Sequence, residues 1–165
     1  ARHAILATIA KNPGTSISEL RKVLGVGWGT VQHHLRLLVA AGFIRTVTEG
    51  RCRRLFPAEA PAEQSYRVAL LRRARILELA KAVIGAPGRI QRELARELGM
   101  SRKTMRRSVD LLVDAGLIHE VRLPRTRQYF PTSLLGRIMD AGQEGRSQLR
   151  ARGPRRGESL DRQPR

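Results

Sequence analysis

Residues 13–57 align without a gap on residues 87–131, an offset of 74, and 18 of the 45 aligned positions are identical. A self-match at one fixed offset constrains the chain more than any local propensity does, because both copies must fold in the same way. The matched anchors are Pro13-Gly14 with Pro87-Gly88, Glu19-Leu20 with Glu93-Leu94, and Leu24-Gly25 with Leu98-Gly99. They continue with Thr30 and Thr104, Leu37-Leu38-Val39 and Leu111-Leu112-Val113, Ala41-Gly42 and Ala115-Gly116, and Phe56-Pro57 and Phe130-Pro131. Two copies make a tandem pair; a solenoid wants three or more shorter units. The 165-residue chain is therefore expected to hold two similar small domains.

Each copy reads alike. A first helix spans Ile5 to Ala10, beginning before Ile5, and in copy two about Arg67 to Ile84, with Pro13-Gly14 and Pro87-Gly88 as stops. Ser16-Ile17-Ser18-Glu19 is a capping box that starts a second helix. Its apolar set Ile17, Leu20, Val23 and Leu24 recurs at helical spacing. The third helix puts Val31, Leu35 and Leu38 on one stripe, and Met105, Val109 and Leu112 in copy two, with Ser101 as N-cap there and Gly27 as a weaker one in copy one. Two short strands follow, Phe43–Thr48 with Arg53–Phe56 and Leu117–Leu123 with Arg127–Phe130, ended by Pro57 and Pro131. Helix, helix, turn, helix and hairpin together predict a winged helix-turn-helix. The fold class is mainly α with small β wings (α+β): two tandem winged helix-turn-helix domains and a disordered basic C-terminal tail.

The expected boundaries are 1–58 for the first domain, 59–66 for a Pro/Ala/Glu linker, and 67–142 for a second domain with a long first helix. Residues 143–165, Gly/Arg/Pro/Ser/Gln-rich with almost nothing apolar, form the tail. The long helix carries two apolar lines, Leu70, Ala74, Leu77 and Ile84, and Ile76, Ala80 and Val83. One should pack its own domain, the other the first domain or a second chain.

Charge points to the partner. The chain has 32 Lys+Arg against 14 Asp+Glu, net +18, and the two domains with the linker carry most of it. The tail therefore does not explain the basicity, and a polyanion is the expected partner. Aromatics at 4% argue against a stacking platform for single strands. The single cysteine, Cys52, excludes an internal disulfide framework and a Cys-rich zinc site. No apolar run approaches a membrane span. The first residues do not read as a secretory leader, and the opening Ala1 leaves room for residues upstream. A cytoplasmic, nucleoid-associated protein is expected.

The stretch Val26-Gly27-Trp28-Gly29-Thr30-Val31-Gln32-His33-His34-Leu35-Arg36-Leu37-Leu38-Val39-Ala40-Ala41-Gly42-Phe43-Ile44 resembles the recognition helix of ArsR-like winged-helix transcriptional regulators. These typically show Thr-Val-x-His-His-Leu, then Leu, then Ala-Gly-Leu-Val/Ile. The tandem arrangement, with Pro-Gly before the second helix and Phe-Pro closing the wing, is similar to archaeal two-winged-helix regulators. The resemblance covers roughly residues 3–132. It implies sequence-dependent binding to double-stranded DNA, usually as a dimer, with the third helix in the major groove. Metal-sensing relatives carry a Cys-x-Cys pair on the second helix; here Ile17 to Leu24 holds no cysteine, so metal sensing is unsupported. Copy two replaces the His-His pair by Arg107-Ser108.

Helical geometry sorts the candidates. With Val31, Leu35 and Leu38 inward, Gly29, His33, Arg36 and Ala40 point outward and Gln32 lies on the flank. His33 and Gln32 can then reach base edges or phosphate, while His34 turns toward the core. The competing reading is a pair of ordinary surface histidines. Thr30 and Thr104, in the first turn, offer a hydroxyl beside free backbone N–H groups to a phosphate, or simply cap the helix. Trp28 could touch sugar or a thymine methyl, or pack over the turn. Ser101, Arg102, Lys103, Arg106 and Arg107 crowd the start of the second reading helix, against the helix dipole, which fits phosphate and guanine recognition better than structure. Asp110 would repel phosphate unless it pairs with Arg106. Arg51, Arg53 and Arg54 on one wing, and Arg122, Arg125 and Arg127 on the other, fit minor-groove or backbone contacts, or guard the strand edge.

Three function classes remain. The favoured one is a sequence-specific transcriptional regulator with recognition helices at about 28–41 and 102–115. The alternative is an architectural or assembly scaffold that binds DNA without sequence preference, or a protein. An enzyme is not expected: no Gly-rich phosphate loop, carboxylate pair or nucleophile–base spacing is present, and His3, His33, His34 and His119 form no metal pattern. No cofactor and no metal are expected. A homodimer through the helix near 67–84 is the expected assembly.

Overall fold

Ser16 decides where the second helix begins. Its Oγ accepts from the Glu19 N–H at 3.2 Å, and the Glu19 carboxylate accepts from the Ser16 N–H at 2.7 Å. Copy two has Ile90 at the matching position, with no side-chain acceptor, so only the Glu93 half of the box survives, at 3.2 Å. The computed structural model describes residues 1–151, with side-chain environments through residue 144.

The first unit runs α1 (Arg2–Lys11), β1 (Thr15–Ser16), α2 (Ile17–Leu24), α3 (Trp28–Ala40), β2 (Ile44–Glu49) and β3 (Cys52–Pro57). Then comes α4 (Ala62–Leu71). The second unit repeats the order with α5 (Ala74–Gly85), β4 (Arg89–Ile90), α6 (Gln91–Glu97), α7 (Arg102–Asp114), β5 (Ile118–Arg122) and β6 (Arg127–Pro131), and α8 (Ser133–Ala151) follows. Each unit closes its hairpin with a third short strand, giving antiparallel sheets ordered β1-β3-β2 and β4-β6-β5. The two-residue strands β1 and β4 are too short to leave an alternation signal in sequence.

The Pro-Gly and Phe-Pro anchors meet in space. Gly14 has φ +82°, and a Cβ there would lie 3.0 Å from Val68 Cγ1 and 3.3 Å from the Phe56 ring. Gly88, at φ +86°, would meet Phe130 at 3.3 Å. Both the backbone conformation and the space demand glycine. The Gly14 and Gly88 N–H groups donate to the Leu55 and Tyr129 carbonyls at 2.8 and 2.9 Å, which latches each turn to the last strand.

Two cores result. Ile5, Ile9, Leu20, Val31, Leu35, Leu38, Ile44 and Leu55 form the first. The second is larger, because α4 lends Leu70 and Leu71 and α8 lends Leu135 to the set built on Ile76, Leu79, Val83, Leu94, Met105, Val109 and Leu112. Full burial of each such aliphatic side chain contributes about 1.5–3 kcal/mol. Val23, expected on the inner stripe of α2, is exposed.

Three expectations are corrected. The long helix over 67–84 is two helices, α4 and α5, broken at Arg72-Arg73. Ala69, Leu70 and Leu71 are all buried, and three consecutive residues cannot share one face of a straight helix with the Ile76–Val83 line. The Arg72 carbonyl also accepts from Arg54. Of the line Leu70, Ala74, Leu77 and Ile84, Ala74 and Ile84 are exposed. The 59–66 linker is helical from Ala62, since Ala, Glu and Gln favour helix once Pro61 has set the entry. Finally, α8 extends to Ala151, past residue 143, where the tail was expected to begin. The remainder of that tail, 152–165, lies outside the described residues.

Candidate nucleic-acid interface

The stripe Val31, Leu35 and Leu38 anchors α3 to its core, and rotation about the axis then turns Gly29, His33, Arg36 and Ala40 outward. Gln32 is half-buried on the flank. Trp28 is 45% exposed, with the Arg21 guanidinium of α2 5.5 Å from its ring centre. It is thus braced by a cation–π contact and still open to solvent. Thr30 is exposed, and Gly27 gives α3 no side-chain cap, so the first-turn N–H groups keep their donor capacity.

His34 is half-buried, and its Nδ1 finds no hydrogen-bond partner among the described residues. Its ring meets that of His33 edge-on at 5.4 Å. Loss of solvation first, then the charges of His33 and Arg2, hold its pKa below the ordinary imidazole value.

In α7, Met105, Ser108, Val109 and Leu112 are buried. Ser108 occupies the position of His34, which identifies that position as core-side in both units. Arg102, Lys103, Arg106 and Arg107 are exposed, and none has an ion-pair partner among the described residues. Asp110 is exposed and forms no ion pair with Arg106. Ser101 Oγ accepts from the Thr104 N–H at 3.2 Å while its hydroxyl donates to Thr104 Oγ1 at 2.9 Å. Ser101 and Thr104 are therefore engaged as a helix cap, whereas Thr30 is not.

The wings differ from a simple arginine fringe. Arg51 and Arg53 are exposed, beside the β2–β3 turn at Gly50. Arg125 sits in the β5–β6 turn, open to solvent. Arg127 is paired with Glu120 at 3.3 Å, and Arg122 shares that carboxylate at 3.0 Å. Arg54 departs from the set. Its side chain is only 11% exposed and donates to Glu19 Oε2 and to the Gly14 and Arg72 carbonyls, each at 3.4 Å. Strand alternation is the signal that could have shown this: if Arg53 faces solvent, Arg54 faces the opposite side.

That cluster ties the first unit to the α4–α5 junction. Arg72 donates to the Pro13 carbonyl at 3.2 Å, and Arg73 pairs with Glu49 at 3.0 Å. Burial acts to raise the Glu19 pKa, but the Ser16 N–H and the Arg72 and Arg54 guanidinium groups outweigh it and leave the carboxyl below its ordinary 4.5. Sequence reasoning missed this arginine–carboxylate clip, since its members lie far apart along the chain.

Residues 1–70 match a family model described as an N-terminal HTH domain, and residues 79–128 match the model of the MarR family. Each match takes in one helix–helix–helix–hairpin unit or most of it. The fold is a winged helix. Among solved structures, the winged-helix chain is similar to the transcriptional regulator SlyA, at 23% identity over 50% of this chain and 62% of that one, with a TM-score of 0.38. It thus spans less than two thirds of SlyA. It is also similar to an ArsR-like transcriptional regulator from Rhodococcus sp. RHA1 (21% identity, 55% and 86% covered, TM-score 0.43). The PcaV transcriptional regulator from Streptomyces coelicolor is a third (19%, 72% and 76%, TM-score 0.44). No curated protein matches in sequence. Among the described residues no helix is long and apolar enough to cross a membrane, and no group of three or more His, Cys, Asp or Glu is placed to hold a metal.

Proposed function

We propose that this chain is a transcriptional regulator that binds double-stranded DNA in a sequence-dependent way, with α3 and α7 in the major groove and the wings on the flanking backbone. The observation that carries the reading is the outer face of α7. Four cations crowd its first two turns, exposed and without acidic partners among the described residues, where they oppose the helix dipole and gain nothing from packing. The matches to an HTH domain and to the MarR family support the same reading. In α3, Trp28, Gly29, Thr30, Gln32, His33 and Arg36 supply donors, acceptors and one apolar surface for base edges. In α7, Arg102, Lys103, Arg106 and Arg107 supply phosphate grip and guanine recognition, with the Ser101–Thr104 cap holding the helix start. Arg51, Arg53, Arg125 and Arg127 extend the grip to the flanks. The two units are read as separate domains, 1–58 and 67–142. Dimerisation is proposed through the α4–α5 region, where Tyr66 and Ile84 are exposed. Association with the nucleoid follows from DNA binding.

Selection of bound duplexes from a random pool, followed by sequencing, tests this reading. The expected outcome is a bipartite site whose halves lie about one helical turn, ~34 Å, apart. Recovery of no preferred sequence would overturn it in favour of an architectural scaffold. One observation favours that second reading: Leu37, Val39 and Phe43, near the end of α3, are exposed, Phe43 at 59%, which suits a protein neighbour.

A further inference from the structure

The ends of α3 and α7 share one sequence, Leu-Leu-Val-x-Ala-Gly followed by Phe or Leu, and meet opposite fates. Ala115 and Leu117 are buried, Leu117 at 0%, while their counterparts Ala41 and Phe43 are open, Phe43 at 59%. Leu111 and Val113 pack against the second core, whereas Leu37 and Val39 stand in solvent. Two pieces of chain make the difference. Helix α4 lays Arg67 across the end of α7, where its Nε donates to the Ala115 carbonyl at 2.8 Å. Thr132, just before α8, donates its hydroxyl to the Gly116 and Leu117 carbonyls at 2.8 and 2.9 Å. In the first unit Ala58 holds the place of Thr132. Its N–H still donates to the Phe43 carbonyl at 3.0 Å, but it brings no hydroxyl. No described residue takes the place of Arg67, and the Ala41 carbonyl accepts no hydrogen bond among the described residues.

Electrostatics marks the same place independently. Neither α3 nor α7 has a basic residue in its last turn. The terminal carbonyls of a helix carry partial negative charge and favour a cation. Arg67 supplies one to α7, and α3 has none. Glu59 adds to the demand: it follows Ala58 directly, is exposed, and forms no ion pair among the described residues. In the second unit the neutral Ser133 stands there. The first unit thus offers an apolar face with a negative edge, in a chain whose net charge is +18. A second copy of the same face would bring another negative edge and leave both without a cation.

We propose that the end of α3, with Phe43, docks an amphipathic helix of a partner protein, laid on it as α4 is laid on α7. The apolar side of that helix covers Leu37, Val39 and Phe43. An arginine on the same side donates to the Ala41 carbonyl and faces Glu59. The face lies at the far end of α3 from Trp28 and Thr30, and its occupancy does not depend on the DNA reading above.

Fluorescence anisotropy of a labelled peptide of residues 59–73, which carries α4 and Arg67, titrated with the full chain, tests it. The tethered α4 holds its own place on α7 at high effective concentration, so the face on the first unit is the one open to the probe. One peptide should bind per chain, and the Arg67→Ala peptide about tenfold more weakly. Phe43→Asp and Leu37→Asp change exposed side chains, so the fold is spared, and each should weaken the peptide about tenfold. Glu59→Gln should weaken it about threefold. The proposal is overturned if the peptide fails to bind the wild-type chain at about 1 mM. It is equally overturned if Phe43→Asp and Leu37→Asp leave binding unchanged, or if the peptide binds as well without its arginine. A wild-type chain that sediments as a dimer and becomes monomeric with Phe43→Asp would also overturn it, by giving the face to a second copy.

Discussion

Helices α3 and α7 occupy the same place in their units and bury the same stripe, yet their outer faces are chemically unlike. Position by position, Trp28 corresponds to Arg102, Gly29 to Lys103, Gln32 to Arg106, His33 to Arg107, and Arg36 to Asp110. The inner stripe is constrained by packing, because a core at crystal-like density punishes any change of volume. The outer face packs against nothing in the chain's core, so its residues are free to differ between the copies. On the DNA-binding reading proposed above, the difference teaches a division of labour to be tested: α7, with four cations, would grip phosphate, and α3, with one cation and several neutral polar groups, would discriminate bases.

Several measurements would break or sharpen this contrast. The largest effect is expected from Arg102→Gln, Lys103→Gln, Arg106→Gln and Arg107→Gln combined. DNA affinity should drop by on the order of 100-fold or more, with the log–log salt slope shallower by roughly 0.9 for each phosphate no longer neutralised. Filter binding over a salt series measures both, and an unchanged slope would remove α7 from the grip. Next, Gln32→Ala with His33→Ala should cost on the order of tenfold in discrimination between selected and scrambled duplexes, with little change in slope. A steep fall in slope instead would mean that α3 and α7 share one role.

A smaller effect separates the wings. Arg54→Ala should lower unfolding stability by about 1–2 kcal/mol, because its bonds to Glu19 and the Gly14 and Arg72 carbonyls disappear, and should leave the salt slope alone. Its counterpart Gln128→Ala should change stability by less than about 0.5 kcal/mol. Denaturant titration decides; equal costs would mean that the Arg54 clip holds nothing the second unit lacks.

Acid sensitivity should be the smallest. The native pKa of His34 is depressed, so the unfolded chain takes up a proton first as pH falls through the ordinary 6.5. Its contribution to stability is therefore complete above that value and declines below it. His34→Ser, which copies Ser108, should flatten the dependence in that window. The Glu19 carboxyl is likewise depressed, so its contribution is present above 4.5 and fades as pH falls below it, and Glu19→Gln should flatten that lower limb. Thermal melts across about pH 3–8 resolve the two windows.

Much of the fold was legible because the repeat doubled every signal. Pro-Gly, Leu-Gly, Ala-Gly and Phe-Pro recur at the turns of both units, and the apolar spacing of Val31, Leu35 and Leu38 recurs in Met105, Val109 and Leu112. The outward positions of α3 followed from a rotation of about 100° per residue. Legibility ended where the repeat ended. The 59–84 stretch lies between the two aligned copies, and the periodicity of 67–84 read as one helix, whereas packing against two neighbours breaks it at Arg72-Arg73. Arg54 was grouped with the wing because three nearby arginines look alike in sequence; only the sheet shows which of them faces inward.

Local sequence thus determined what each unit is: where its helices start and stop, which stripe is buried, and which side chains face out. Those features depend on neighbours within a few residues, so they are written in spacing. Tertiary structure alone decided how the units meet. Glu19, Arg54 and Arg72 form one cluster, Gly14 packs on Val68, and residues as distant as Lys11 and Gln143 line one cavity. These contacts depend on the path of the chain through space, and no short-range pattern encodes that path.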